Sequence, residues 1–365
     1  MSDMDIFRSD KKLGSHKEWV NRYIDKGYQY PITLEIDPTN ECPLRCSCCN
    51  WAGHIRTDDP KASLSPAIMF NAIRQAAELG VKSIIWTGGG EPLQNMAVLS
   101  GIQLSSELGM NNGMFTTGLP MTSKVSEILV EYLRWVRFHI DGSTPLTYAK
   151  VHGTSENMYS RVIRNIREFV VKRAAVRSAI KAGIGSVALP ENITDMPRLA
   201  RLSKDLGLDY FQYKHDLTQM NDTRYLRWWN TDVIPVLDSL SNEIEDDSFS
   251  LQYSKGNDYT EKDPSRFCHV HHLNTAITAD GRVMYCKSLR HNHALTIGNI
   301  HNQSLREIFD GGRFRRLSRK ITPSRCGVLP CPYHRTNLLL EKLSVTRDLS
   351  TLHPAPPIEW HQDFI

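Results

Sequence analysis

No apolar run in this chain reaches the length of a membrane span, and the stretch from Met1 to Lys12 lacks the apolar core of an export signal. Charge of one sign is scarce as well: 44 Lys and Arg against 40 Asp and Glu leave a net +4, which describes a globular protein of only mild basicity. Its 365 residues suffice for one large core plus a smaller appended domain. Cysteine is not scarce. Eight cysteines without an export signal point to metal ligation in a reducing compartment rather than to disulfides, and so to the cytoplasm.

Four of the eight are crowded. Cys42, Cys46 and Cys49 make a C-x3-C-x2-C run just behind the strand-like segment 33–37, with Cys48 as a local spare and His54 further on. Three thiolates at this spacing hold three corners of a four-iron cubane and leave the fourth iron without a protein ligand. Close cysteines also build tetrahedral zinc sites, for which Cys48 or His54 would supply the fourth ligand. Spacing selects Cys49 over Cys48 as the third cluster ligand. A second short strand pattern, 83–87, runs into Gly88, Gly89, Gly90, Glu91 and Pro92. Consecutive glycines at a strand end let backbone approach a ligand, although alone they also fit a tight turn.

Together the cysteine run and the Gly-Gly-Glu-Pro sequence resemble the radical S-adenosylmethionine (radical SAM) enzymes. The third cysteine is usually preceded there by an aromatic residue, where this chain has Cys48. The resemblance implies a [4Fe-4S] cluster on Cys42, Cys46 and Cys49, with SAM on its open iron and its amino group received by Gly88, Gly89, Gly90 and Glu91. It also implies reductive cleavage of SAM to a 5'-deoxyadenosyl radical that takes hydrogen from substrate, with a flavodoxin or ferredoxin-type protein as electron donor.

Strand and helix patterns alternate six times, with strands at 33–37, 83–87, 113–117, 135–141, 180–188 and 209–214. Such alternation predicts an α/β fold with a parallel sheet, and the resemblance makes it a partial (β/α)6 TIM-like barrel with its site at the C-terminal strand ends. In the fourth strand Val136, Phe138 and Ile140 fall on one face and Arg137, His139 and Asp141 on the other, which predicts a polar interior, although Arg137 and Asp141 pairing at the rim would account for it too. Asp141 matches the family's strand ending that contacts SAM ribose or substrate. Asp141, His139 and Lys214 are the candidate catalytic residues, and Glu35, Asp37, His215 and Asp216 share their strand-end placement. Each is also an ordinary residue type for a polar rim.

The remaining four cysteines lie in the last third. Cys268 precedes a hairpin pattern turning at Asp280-Gly281 and ending at Cys286, and Cys326 and Cys331 follow at C-x4-C. Four soft ligands suit a fully ligated cubane or a structural zinc. The segment resembles the SPASM domain of radical SAM enzymes, or its shortened twitch form, which implies one auxiliary [4Fe-4S] cluster on Cys268, Cys286, Cys326 and Cys331. The expected organisation is an N-terminal extension 1–32, a core 33–220, a connection 221–262, an auxiliary domain 263–340 and a tail 341–365.

The expected function is hydrogen abstraction from a small polar substrate, a sugar, cyclitol or nucleotide, ending in oxidation with the auxiliary cluster as electron acceptor. Radical isomerisation or epimerisation of an amino-acid- or nucleotide-linked substrate, including a modified base in nucleic acid, is the second reading. A non-catalytic zinc or iron-sulfur protein is the third. With only about thirty residues before the first strand, no peptide-binding module is expected there. Arg313, Arg315, Arg316, Arg319, Lys320 and Arg325 form a cation cluster with no acid between them, open to a phosphate, nucleotide or nucleic-acid partner. Only Phe314 interleaves, so base stacking is not supported.

Overall fold

The computed structural model describes residues 8–51, 59–219, 222–254, 265–326, 331–352 and 360–365. Strands β1 (Thr33–Ile36), β2 (Ser83–Trp86), β3 (Asn111–Thr116), β4 (Leu133–His139), β5 (Lys181–Val187) and β6 (Tyr210–Lys214) pair in parallel, in sequence order. Helices cross between them. The one at Pro66–Glu78 starts on the Ser65 side chain with proline in its first turn, and Thr122 and Thr144 cap two more. Gly80, Gly153 and Gly207 follow helix ends with left-handed backbone, where glycine is least strained.

The expected connection departs from its description. Helices at Thr223–Trp228 and Ile234–Ile244 lead to β7 (Ser250–Gln252), which pairs with β6 in parallel, so the segment is a further helix-strand unit of the sheet. On the opposite edge β8 (Asn274–Ile277) pairs in parallel with β1, and β9 (Arg282–Met284) and β10 (Thr296–Asn299) continue antiparallel. One ten-stranded sheet, in the order β10-β9-β8-β1-β2-β3-β4-β5-β6-β7, therefore carries both halves of the chain.

The outer face of this sheet buries Ile84, Trp86, Val136, Phe138 and Ile184 beneath the helices. Alternation sends Arg137 and His139 to the inner face, where Arg137 meets rings from β3, β4 and β6. The floor of that face is built by residues 360–365. Thr33 and Ser83 donate to the Asp363 carbonyl, Asn111 donates to its carboxylate, and Trp135 packs on His361 and Phe364. These partners sit at or near the N-terminal starts of their strands, so the opposite, C-terminal ends are left for a site.

Candidate functional site

Two loops meet at the C-terminal ends of β1 and β2. The cysteine loop follows β1, and its Glu41 carbonyl accepts from the Glu91 amide at 2.8 Å. Gly90 lies so close to this loop that a Cβ there would stand 2.3 Å from the Glu41 carbonyl oxygen, and Gly88, at φ +136°, has the same relation to Asp37 at 2.7 Å. The glycines thus press the two loops together. The Glu91 carboxylate is buried and accepts from Thr116 Oγ1 at 2.7 Å, the Thr117 amide at 2.6 Å and the Leu93 amide at 3.1 Å, tying the loop to the end of β3.

Cys42, Cys46 and Cys49 are half-buried and unbridged, whereas Cys48 is buried and its thiol donates to Asp141 Oδ2 at 3.6 Å. Burial and the Asp141 charge hold the Cys48 thiol protonated, its titration pushed far up. The three half-buried thiols are the soft donors an iron-sulfur cluster requires, and Cys48 is committed elsewhere. His152, at the end of a helix, links loop and sheet. Its Nδ1 lies 3.1 Å from Cys46 Sγ, and its Nε2 accepts from the Asp141 amide at 2.9 Å. Burial lowers its titration to about 4, so it stays neutral.

Asp141 is fully buried past the end of β4. Its carboxylate accepts from the Val187 amide at 2.7 Å and Ser186 Oγ at 3.1 Å, and lies 2.9 Å from His139 Nε2. Burial opposes its charge, but the His139 imidazole and these hydrogen bonds prevail and hold the carboxyl below its usual range. Cys48, His139 and Asp141 bring a thiol, an imidazole and a carboxylate within 4.8 Å of one another, a set also able to hold a metal ion. Here the three satisfy one another by hydrogen bonding. Asp141 has no contact with Arg137 among the hydrogen bonds and ion pairs of the described residues, which removes the rim pairing weighed above.

Glu35 and Asp37 are occupied by two residues that sequence reasoning missed. Lys287 and Arg290, one and four positions beyond Cys286, pair with Glu35, and Arg290 also pairs with Asp37. Burial opposes the Glu35 charge, but the two cations hold it below its usual range. Asp37, with Oδ2 unbonded among the described residues, is pushed by burial up to about 6. Arg290 stacks on Trp51 at 5.3 Å, two residues past Cys49, so this network joins the cysteine loop to the auxiliary domain. Only the position of Lys287 and Arg290 just behind Cys286 signals them in sequence.

Cys268, Cys286 and the Cys326/Cys331 segment converge from three places in the chain. Burial raises Cys268, and the other three thiols add to the shift, while Cys286 is pushed up to about 11. Four half-buried thiols close enough to shift one another repel as thiolates, and a polynuclear cation removes that cost, so the donor set fits an iron-sulfur cluster. Lys214, at the end of β6, lies within electrostatic reach of Asp141 and Cys48, and its ammonium is 5.8 Å from the Phe115 ring. His215 stacks on Trp229 at 3.7 Å, and Asp216 caps the Thr218 amide, so neither strand-end neighbour belongs to the lining.

Loops carrying open thiols at the C-terminal ends of a parallel sheet, with a second thiol group on its edge, define an iron-sulfur enzyme of radical type. The radical SAM superfamily model matches residues 36–203, and the iron-sulfur cluster-binding domain SPASM matches residues 268–336. The chain belongs to the radical SAM superfamily and carries a C-terminal SPASM domain, which bring a SAM-binding [4Fe-4S] cluster and auxiliary cluster binding.

Among relatives, the chain is 22% identical to the PqqA peptide cyclase of Gluconobacter oxydans over 77% of this chain and 76% of that protein. It is 24% identical to the probable GTP 3',8-cyclase of Methanosarcina mazei over 74% of this chain and 81% of the relative. Several other relatives are matched over about half of their length. Streptococcus suis SuiB bound to S-adenosylmethionine shares the fold at TM-score 0.64 and 17% identity, covering 88% of this chain and 78% of SuiB. No helix among the described residues is long and apolar enough to cross a membrane.

Proposed function

We propose that the chain abstracts hydrogen from a polar substrate held on the inner face of the sheet and that the net outcome is oxidation. The observation that carries this reading is the His139–Asp141 pair at the end of β4. His139 donates from Nε2 to a carboxylate held in its charged form, which leaves Nδ1 as the basic nitrogen, and its side chain is 30% exposed. When bound, the cluster on Cys42, Cys46 and Cys49 with SAM supplies the hydrogen-abstracting radical, and an auxiliary cluster on Cys268, Cys286, Cys326 and Cys331 supplies a one-electron acceptor.

The protein's own residues then have separate tasks. Gly88, Gly89 and Gly90 bring backbone to SAM, while Glu91 holds that loop against β3. His139 takes the proton that an oxidised carbon's hydroxyl or amine must lose, and Asp141 fixes its tautomer and orientation. Lys214 lines the same face. The loss of one hydrogen atom, one proton and one electron makes the product two hydrogens lighter.

The substrate class under proposal is a sugar, cyclitol or nucleotide. The relatives' names, a peptide cyclase and a GTP cyclase, extend it to a peptide. Anaerobically reconstituted enzyme, supplied with SAM, a flavodoxin-type reductant and members of each class, is expected to yield one 5'-deoxyadenosine per product. The product should be lighter by the mass of two hydrogens. His139→Gln is expected to lower product formation about a hundredfold while SAM cleavage continues. Product of unchanged mass would replace oxidation by isomerisation or epimerisation.

A further inference from the structure

The inner face brings two cations, Lys214 and Arg137, side by side over the Phe115 ring. Glu35 and Asp37 are engaged by Lys287 and Arg290, and Asp141 by His139. Lys214, from the same lining, makes no hydrogen bond or ion pair among the described residues and rests against the Phe115 ring. Arg137 is held beside it, donating from Nε to Tyr210 at 3.3 Å with its guanidinium over the rings of Phe115, Trp135 and Tyr210. Burial and then the Arg137 charge lower Lys214 to about 8, against the nearby Asp141 and Cys48, which act to raise it. Two cations this close repel each other, and an anion bound between them relieves that repulsion.

The strand between them is cut away to make room. Gly185 on β5 pairs with His139 on one side and Gln212 on the other. A Cβ at Gly185 would stand 2.7 Å from Arg137 Cδ and 3.6 Å from Lys214 Cε. Beside this gap are acceptors waiting for donors. Gln212 Oε1 and Gln252 Oε1, on neighbouring strands in register, are buried with no hydrogen-bond partner among the described residues, and Gln252 is 1% exposed.

We infer that Lys214 and Arg137 form an anion subsite on the inner face that takes a carboxylate or phosphate group of the substrate, with Gln212 and Gln252 accepting from its hydroxyl or amide donors. This rests on the hydrogen-abstraction reading for the word substrate, but anion binding itself does not require radical chemistry. The same cations could instead serve SAM's own carboxylate, so the test separates the two sources.

Sulfate and acetate are titrated calorimetrically into anaerobically reconstituted enzyme, and SAM is titrated separately. One anion is expected to bind per chain. Lys214→Met should weaken it about tenfold, Lys214→Arg should restore it, and SAM affinity in Lys214→Met should stay within about twofold. Because the protonated amine is required, sulfate affinity should decline above about pH 8 in the parent and not in Lys214→Arg. The anion preferred, tetrahedral or planar, names the substrate group. Failure of the parent to bind either anion, or equal binding by Lys214→Met, overturns the subsite. An equal loss of SAM affinity in Lys214→Met assigns the cations to SAM and also overturns it. None of these measurements reads SAM cleavage, so failure of the radical reading would be seen separately.

Discussion

At the scale of single residues, Cys48 and Cys49 are adjacent cysteines with opposite surroundings. Cys48 turns into the protein toward Asp141, and Cys49 is half-buried on the loop with Cys42 and Cys46. Replacing Cys42, Cys46 and Cys49 together is expected to remove roughly half of the iron of reconstituted protein and all SAM cleavage, as one cubane of two is lost. Cys48→Ala should keep its iron. Equal iron loss in Cys48→Ala, measured by metal analysis, would reassign the third ligand. The four clustered cysteines and the glycine run were legible in sequence because both are local. The Lys287–Glu35 and Arg290–Asp37 pairs were not, since 252 and 253 residues separate their partners.

At the scale of elements, glycine sets how closely strands and loops approach. Gly90→Ala would drive a methyl group into the Glu41 carbonyl at 2.3 Å, and this neighbour is backbone, which cannot rotate away. The cysteine loop should then separate from the glycine-rich loop proposed to receive SAM. The expected outcome is SAM affinity reduced at least about tenfold with the auxiliary iron retained, read by SAM titration and iron content. An alanine tolerated there without loss would contradict the contact. The six central strands were visible in sequence from their apolar runs and the caps between them. The strand β7 was not, and β8 was visible only as the first arm of a hairpin, not as a parallel partner of β1. Of three residues, β7 carries too short a pattern and becomes a strand by pairing with β6, and the pairing of β8 with β1 joins residues roughly 240 apart in the chain.

At the scale of the whole molecule, the floor and the buried histidines determine how the protein responds to its medium. Lys12 reaches His361 at 2.6 Å and the Phe364 carbonyl at 2.5 Å, joining the first described helix to residues 360–365 beneath the sheet. Deleting residues 360–365 would uncover Trp135 and the strand starts, and a lower melting temperature is expected. An unchanged melting curve would show that this floor adds no stability. Burial lowers His215 to about 4 and His272 to about 3. Between these values and the ordinary histidine range near 6.5, the unfolded chain binds the extra protons. Each histidine should therefore remove about 1.4 kcal/mol of stability per pH unit as the medium is acidified through that window. Denaturant titrations from pH 7 to pH 5 measure the slope, and a flat profile would refute it.

The sequence by itself determined the chemistry of the ligands and the order of the central strands. Three cysteines in one loop, a glycine-rich strand end and alternating periodicity are local patterns, readable without knowing what they touch. Tertiary structure alone decided which polar residues remain available. It gave Glu35 and Asp37 to cations from the auxiliary domain, locked Asp141 to β5 and His139, sealed the floor with the C-terminal segment, and set Lys214 beside Arg137. Those outcomes depend on contacts between different elements of the sheet, some more than two hundred residues apart in the chain, and on burial, and burial makes an uncompensated charge costly enough to dictate its partner.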